Sequence, residues 1–152
     1  MYETIYVPVD NSPHEAIHLG VELGKAFSSR MVGCHVYAAR MHDYRFKQME
    51  FTLPEEYLEE NELMRQRKIH DSLITMGLKL ISDGYLVPMQ QRCVEAGLEF
   101  EPRMMDGKHS TEIVADVNAN DYDLVVLGVL GLGRVRDSQV GSVCERVVRR
   151  AN

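Results

Sequence analysis

Gly128, Gly131, Gly141 and Ser142 stand in a Gly-x2-Gly-x9-Gly-Ser array between an apolar run, Leu124 to Leu127, and an amphipathic segment, Val143 to Arg150. The chemistry that this arrangement suits is anion binding. Glycine lets main-chain N–H groups approach a phosphate with no side chain in the way, and the first turn of a following helix adds free N–H groups and the positive end of its dipole. The array is not a Walker A loop, which would close on Gly-Lys-Ser/Thr, and it lacks the Gly-x-Gly-x-x-Gly of the dinucleotide fingerprint. Arg134 and Arg136 lie inside the loop with the reach and charge to meet phosphate. Solvated loop arginines need no ligand, so charge alone does not decide their role.

The other residues able to do chemistry are scattered. His14-Glu15-Ala16-Ile17-His18 is a formal His-Glu-x-x-His zinc-hydrolase match. On a helix both histidines face away from the apolar stripe Ala16, Leu19, Gly20, Leu23 and Phe27, toward solvent with Lys25, and no third ligand is placed, so the match is set aside. His35 ends an apolar run and reads as a satisfied core histidine. Asp106 and His109 end one strand and open the next helix, where a single carboxylate is a weak candidate for Mg2+. The acidic run Glu55 to Glu62 reads as a solvated helix face, with its methionine and leucine companions as packing. No nucleophile, base and orienter trio emerges, which leaves catalysis without a cast.

A phosphate loop of this kind must be held at the end of a buried strand. Thr4 to Val9 is β-rich and almost wholly apolar, as a strand covered on both faces should be, with Pro8 near its end. Asp10-Asn11-Ser12-Pro13 then signals a helix start. Met31 to Tyr37 reads as a second buried strand, which makes the first helix a crossover between parallel strands. Leu98 to Met104 is a third strand, demoted to an edge by Pro102. Ser110 to Val117 is helical and Leu124 to Leu127 is the fourth strand. This alternation predicts an α/β, Rossmann-like, doubly wound parallel sheet of order 3-2-1-4, with ligands beyond the C-terminal strand ends. Between strands 2 and 3, residues 38–97 hold more helix than one crossover requires. Helix starts at Thr52-Leu53-Pro54, breaks at Asp83-Gly84 and stops at Gly97, which predicts an elaboration packed on the sheet or on a partner.

The 152 residues suit a single domain, and 45% apolar with 26% charged residues is the mixture of a globular protein. A formal charge of -6 argues against nucleic acid as a partner. No apolar run nears 18 residues and the first residues do not read as a signal peptide, so no membrane role and a cytoplasmic location are expected. Cys34, Cys93 and Cys144 are read as unpaired thiols that pack as small hydrophobes.

Gly128-x2-Gly131-x9-Gly141-Ser142, with Val7-Pro8-Val9-Asp10-x-Ser12 at the first strand end, His35-Val36 at the second and Asp123-Leu-Val-Val-Leu-Gly128, resembles the universal stress protein family in its ATP-binding subclass. The resemblance implies a regulatory or stress-response module binding ATP, or AMP or ADP, with Mg2+ or Mn2+ accompanying the nucleotide. It implies that Gly128, Gly131, Gly141, Ser142 and the backbone of Val143 hold phosphates and ribose, with Arg134 in the same loop. Pro8, Val9, Asp10 and Ser12 fall on the nucleoside side and the backbone of Val36 on adenine. A slow metal-dependent ATP hydrolase and a protein-interaction domain that binds no nucleotide are the alternatives. The chain departs from the family at Leu130, where a polar or basic residue is usual, at Gly107-Lys108-His109, and in the absent fifth strand. An edge strand left open this way predicts a homodimer, a tandem second domain or a longer protein to complete the sheet.

Overall fold

The structure is a computed structural model that describes residues 1–9, 14–50, 52–129 and 141–152. Four parallel strands, β1 (Thr4–Pro8), β2 (Arg30–Tyr37), β3 (Phe100–Asp106) and β4 (Leu124–Val125), form one sheet in the order β3-β2-β1-β4. Among the described residues five α-helices accompany them: α1 (Glu15–Phe27), α2 (Ala39–Glu50), α3 (Glu60–Glu95), α4 (His109–Ala119) and α5 (Ser142–Arg150). Alternation within the strands sends Ile5, Val7 and Met31 to one face, against α1 and α3, and Tyr6, Val32 and Cys34 to the other, against α4 and α5. Helices on both faces of a parallel sheet are the doubly wound architecture that the strand and helix alternation predicts.

The two strand prolines are accommodated as their chemistry requires. Pro8 is the last residue of β1, opposite Cys34, and the ladder resumes where Val9 donates its N–H to the Cys34 carbonyl at 2.7 Å. Pro102 sits opposite Gly33 in β3, which pairs with β2 on one side and forms the edge of the sheet. The fourth strand is shorter than the apolar run suggests, although Val126 still donates to the Tyr6 carbonyl at 2.9 Å.

Three expectations need correction. The buried face of α1 is Ile17, Gly20, Val21 and Gly24, whereas Leu19 and Phe27 of the predicted stripe are exposed. Bulk misleads here because the glycines mark the contact: a Cβ on Gly20 would lie 2.9 Å from Val7 Cγ2, and one on Gly24 2.5 Å from Met31 Sδ. The helix expected from Pro54 is a single 3-10 turn, Glu55–Tyr57, and α3 begins at Glu60. The break expected at Asp83-Gly84 is absent, and α3 runs unbroken to Glu95. Its residues buried on the sheet, Ser82, Leu86, Met89 and Cys93, straddle Gly84 at helical spacing, and that packing outweighs the roughly 1 kcal/mol that one helical glycine costs. The predicted stop does occur. Gly97 takes φ 69° and Leu98 donates back to the Cys93 carbonyl at 2.9 Å, a glycine-terminated helix end. Residues 39–50 form α2, whose first N–H groups donate to the Asp106 carboxylate, Ala39 at 2.9 Å and Arg40 at 3.5 Å.

Candidate functional site

In this order of strands, β1 lies between β2 and β4, and the chain leaves it in opposite directions along the sheet. Such a switch point opens a crevice beyond the C-terminal strand ends. Four of the segments singled out from the sequence meet there. Pro8 and Val9 end β1, and Val36 lies two residues past the Cys34 carbonyl that Val9 engages. Gly128 and Val129 follow β4 and are exposed, and Gly141, Ser142 and Val143 open α5. Asp10, Ser12, Gly131 and Arg134 fall outside the described residues.

The two ends of the glycine loop are fastened to each other. Gly141 is buried and donates its N–H to the Val129 carbonyl at 2.6 Å, while its own carbonyl accepts from Glu145 at 3.0 Å to begin α5. Gly141 is thus the N-cap of α5, and a glycine supplies no side-chain oxygen for the first-turn N–H groups. Val143 packs with Leu127 onto the apolar cluster that contains Val36 and Val147, which anchors the helix start against the ends of β2 and β4. The arrangement presents main-chain donors and a positive dipole end next to the strand ends, which is a geometry for an anion.

Neighbouring polar residues are engaged structurally. His35 is buried, 2.6 Å from Ser82 Oγ through Nδ1 and stacked on Tyr85 at 4.5 Å, as expected of a core histidine. Asp106, weighed for Mg2+, caps α2 instead. Arg146 of α5 donates to the buried Ser110 of α4 at 3.1 Å. His18 lies 3.4 Å from the Arg92 guanidinium, a cationic neighbour ill suited to a zinc ligand. Among the described residues no three His, Cys, Asp or Glu side chains come together for a metal. No described helix is long and apolar enough to cross a membrane. A depression of about 600 Å3 lined by Lys25, Arg30 and Glu99 sits under the N-terminal strand ends, the opposite edge from the switch point, and is not the crevice in question.

Behind the crevice lies a polar cluster that the sequence reading passed over. Asp116 is buried on α4 and receives Arg103 Nη2 at 2.7 Å and Nε at 3.1 Å, Asn120 Nδ2 at 2.9 Å and Tyr122 Oη at 3.4 Å. The signal was present: Ser110, Ile113 and Asp116 share the inward face of α4 at three-residue spacing. Tyr6 stacks on Tyr122 at 4.5 Å, and its buried hydroxyl lies by the Cys34 thiol and Asp116 with no well-formed hydrogen bond.

Burial, reinforced by the Asp116 charge, pushes the Tyr122 hydroxyl up to about 12 and holds Tyr6 higher still. Burial likewise raises the Cys34 and Cys93 thiols to about 11, which suits packing and not nucleophilic chemistry. These groups are neutral in the folded protein and lose their protons earlier when unfolded. Their stabilisation is complete below the unfolded values and is lost as pH rises through the folded ones. The urea midpoint is therefore expected to hold up to about pH 8 and fall between about pH 9 and 12, with Cys34 alone contributing on the order of 2–3 kcal/mol. Cys34→Ala should flatten part of that fall; an equally steep fall in the variant would remove Cys34 from the account.

The family model that matches the chain, over residues 1–152, is the Universal stress protein family. No curated protein matches it significantly. Among solved structures it is similar to universal stress protein UspA from Lactobacillus plantarum, with a TM-score of 0.68 and 18% identity over 99% of this chain and 92% of that one. A universal stress protein in complex with cAMP aligns with a TM-score of 0.64 and 19% identity, covering 99% of this chain and 91% of that one. An Arabidopsis thaliana protein of the same family with AMP bound aligns with a TM-score of 0.59 and 15% identity, covering 99% and 86%. Likeness at these identities concerns the fold.

Proposed function

Because the chain belongs to the universal stress protein family, we propose that it is a regulatory module that binds an adenine nucleotide, ATP among them, at the C-terminal ends of β1, β2 and β4. Relatives of the same fold carry cAMP and AMP, which supports this choice of ligand class. The observation that carries the reading is the closure of the glycine loop: Gly141 is bonded to Val129 and caps α5 at the switch point of the sheet. Main-chain N–H groups of Ser142 and Val143 then face phosphate, the Ser142 hydroxyl adds a donor, and the backbone near Val36 meets the adenine edge. Asp10, one residue past Val9, would accept from the ribose hydroxyls. Gly128, Gly131 and Arg134 complete the phosphate side. Any accompanying Mg2+ or Mn2+ would be held mainly by the phosphate oxygens. Occupancy would tune assembly or the grip on a partner.

Isothermal titration of the full chain with ATP, AMP and cAMP tests this reading. Micromolar binding of at least one of them is expected. Heat-silent titrations at millimolar nucleotide, together with no nucleotide recovered by mass spectrometry from the freshly purified protein, would overturn it.

A further inference from the structure

The N-terminal part of α3 has a face with no partner among the described residues. Ile69, Leu73, Met76 and Leu80 follow one another at spacings of four, three and four residues and are 50%, 65%, 63% and 70% exposed. That spacing is the apolar seam by which two helices pack. The helical elaboration is expected to pack on the sheet or on a partner, and every buried residue of α3, the part that meets the sheet, lies at or beyond Ser82. At 3.6 residues per turn the seam points about 140° away from the Ser82, Leu86, Met89, Cys93 face. On a third side α2 closes in, with Glu50 ion-paired to Arg67 at 2.7 Å and Phe46 stacked on His70 at 3.8 Å. The seam thus faces outward from both the sheet and α2.

We propose that this seam pairs antiparallel with the same seam of a second copy of the chain. The charges choose both the occupant and the direction. Asp83 is the next position of the seam, three residues after Leu80, and is exposed. Parallel pairing would set it against Asp83 of the second copy, like charge on like charge within an apolar row. Antiparallel pairing with Ile69 opposite Leu80 and Leu73 opposite Met76 gives four apolar layers by two-fold symmetry. The same register sets Asp83 beside Arg65 of the second copy, at both ends of the contact. Arg65 is 67% exposed and engaged within its own chain by the half-buried Glu62 of the same helix, in an i,i+3 pair that solvent weakens. Gly77 and Gly84 flank the seam, and a Cβ on either would meet nothing within 4 Å. Glycine weakens a helix interior, and nothing among the described residues requires it at these two positions. A second backbone approaching along that flank does.

This pairing is separate from the nucleotide reading and is tested by mass. Light scattering of the full chain at high micromolar concentration should give twice the chain mass of 17.4 kDa. Leu73→Glu with Leu80→Glu, at exposed positions, should return the mass to that of one chain with an unchanged far-ultraviolet spectrum. Asp83→Arg alone should weaken the dimer roughly tenfold, and adding Arg65→Asp should restore it. A wild-type chain that is monomeric at that concentration overturns the proposal. A dimer that survives Leu73→Glu with Leu80→Glu overturns it too, since association then belongs to another surface such as the β4 edge. A dimer indifferent to Asp83→Arg overturns the antiparallel register.

Discussion

Replacing Arg103 with methionine is expected to lower the free energy of unfolding by about 3 kcal/mol, measured by urea denaturation at neutral pH. The reason is the asymmetry of the pair. The Asp116 side chain is 3% exposed and that of Arg103 is 33% exposed, so removing the arginine strands a carboxylate that water cannot reach. Removal of one partner of a buried pair costs about 3–5 kcal/mol, and the lower end applies because Asn120 and Tyr122 still donate to Asp116. Against a total of about 5–15 kcal/mol for a domain, that loss is large. Asp116→Leu should cost less, since the arginine left behind can turn to solvent. The double variant Arg103→Met with Asp116→Leu should recover most of the loss, because neither charge is then buried unpaired. A double variant less stable than Arg103→Met would show that the pair contributes by more than compensating its own burial.

The second large effect is on ligand binding. Gly141→Val is expected to weaken nucleotide binding by about 100-fold, or about 2.7 kcal/mol, while the protein remains folded. The backbone at Gly141 is extended, with φ -69° and ψ 154°, a conformation that valine adopts readily. Strain is therefore not the mechanism. Gly141 is buried where the loop closes on Val129, and a branched side chain there would occupy the space through which the first-turn N–H groups of α5 approach phosphate. Ser142→Ala, which removes one hydroxyl at an exposed position, should cost only about tenfold. Calorimetric titration distinguishes the two, and an unchanged far-ultraviolet spectrum separates lost binding from lost fold. Equal affinity in Gly141→Val and the parent would move the phosphate site elsewhere.

The helical segment 38–97 is where sequence and structure diverge most. Its apolar spacing correctly signals helix, but spacing alone does not say what a helical face touches. The apolar run of α3 reads as packing on the sheet or on a partner, and its seam is solvent-facing in the fold, while the face that does pack on the sheet, Ser82, Leu86, Met89 and Cys93, contains a serine and a cysteine. Similarly, on α1 the contact face is marked by the residues that are smallest, Gly20 and Gly24, because a helix lying close on a sheet needs small side chains at the contact.

The sequence by itself determined the order of elements, the parallel sheet with β1 inside and β3 at the edge, and the glycine loop after the last strand. These follow from local chemistry: two-sided burial makes a strand continuously apolar, proline excludes itself from interior ladders, and glycines open a backbone to an anion. Tertiary structure alone decided that Gly141 and Val129 meet, that Arg103 from β3 neutralises Asp116 from α4, and that α3 continues through Gly84 because the sheet holds it on either side. Each of these joins residues distant in the chain or sets a packing energy against a local propensity. A list of residue types carries neither the distance nor the balance.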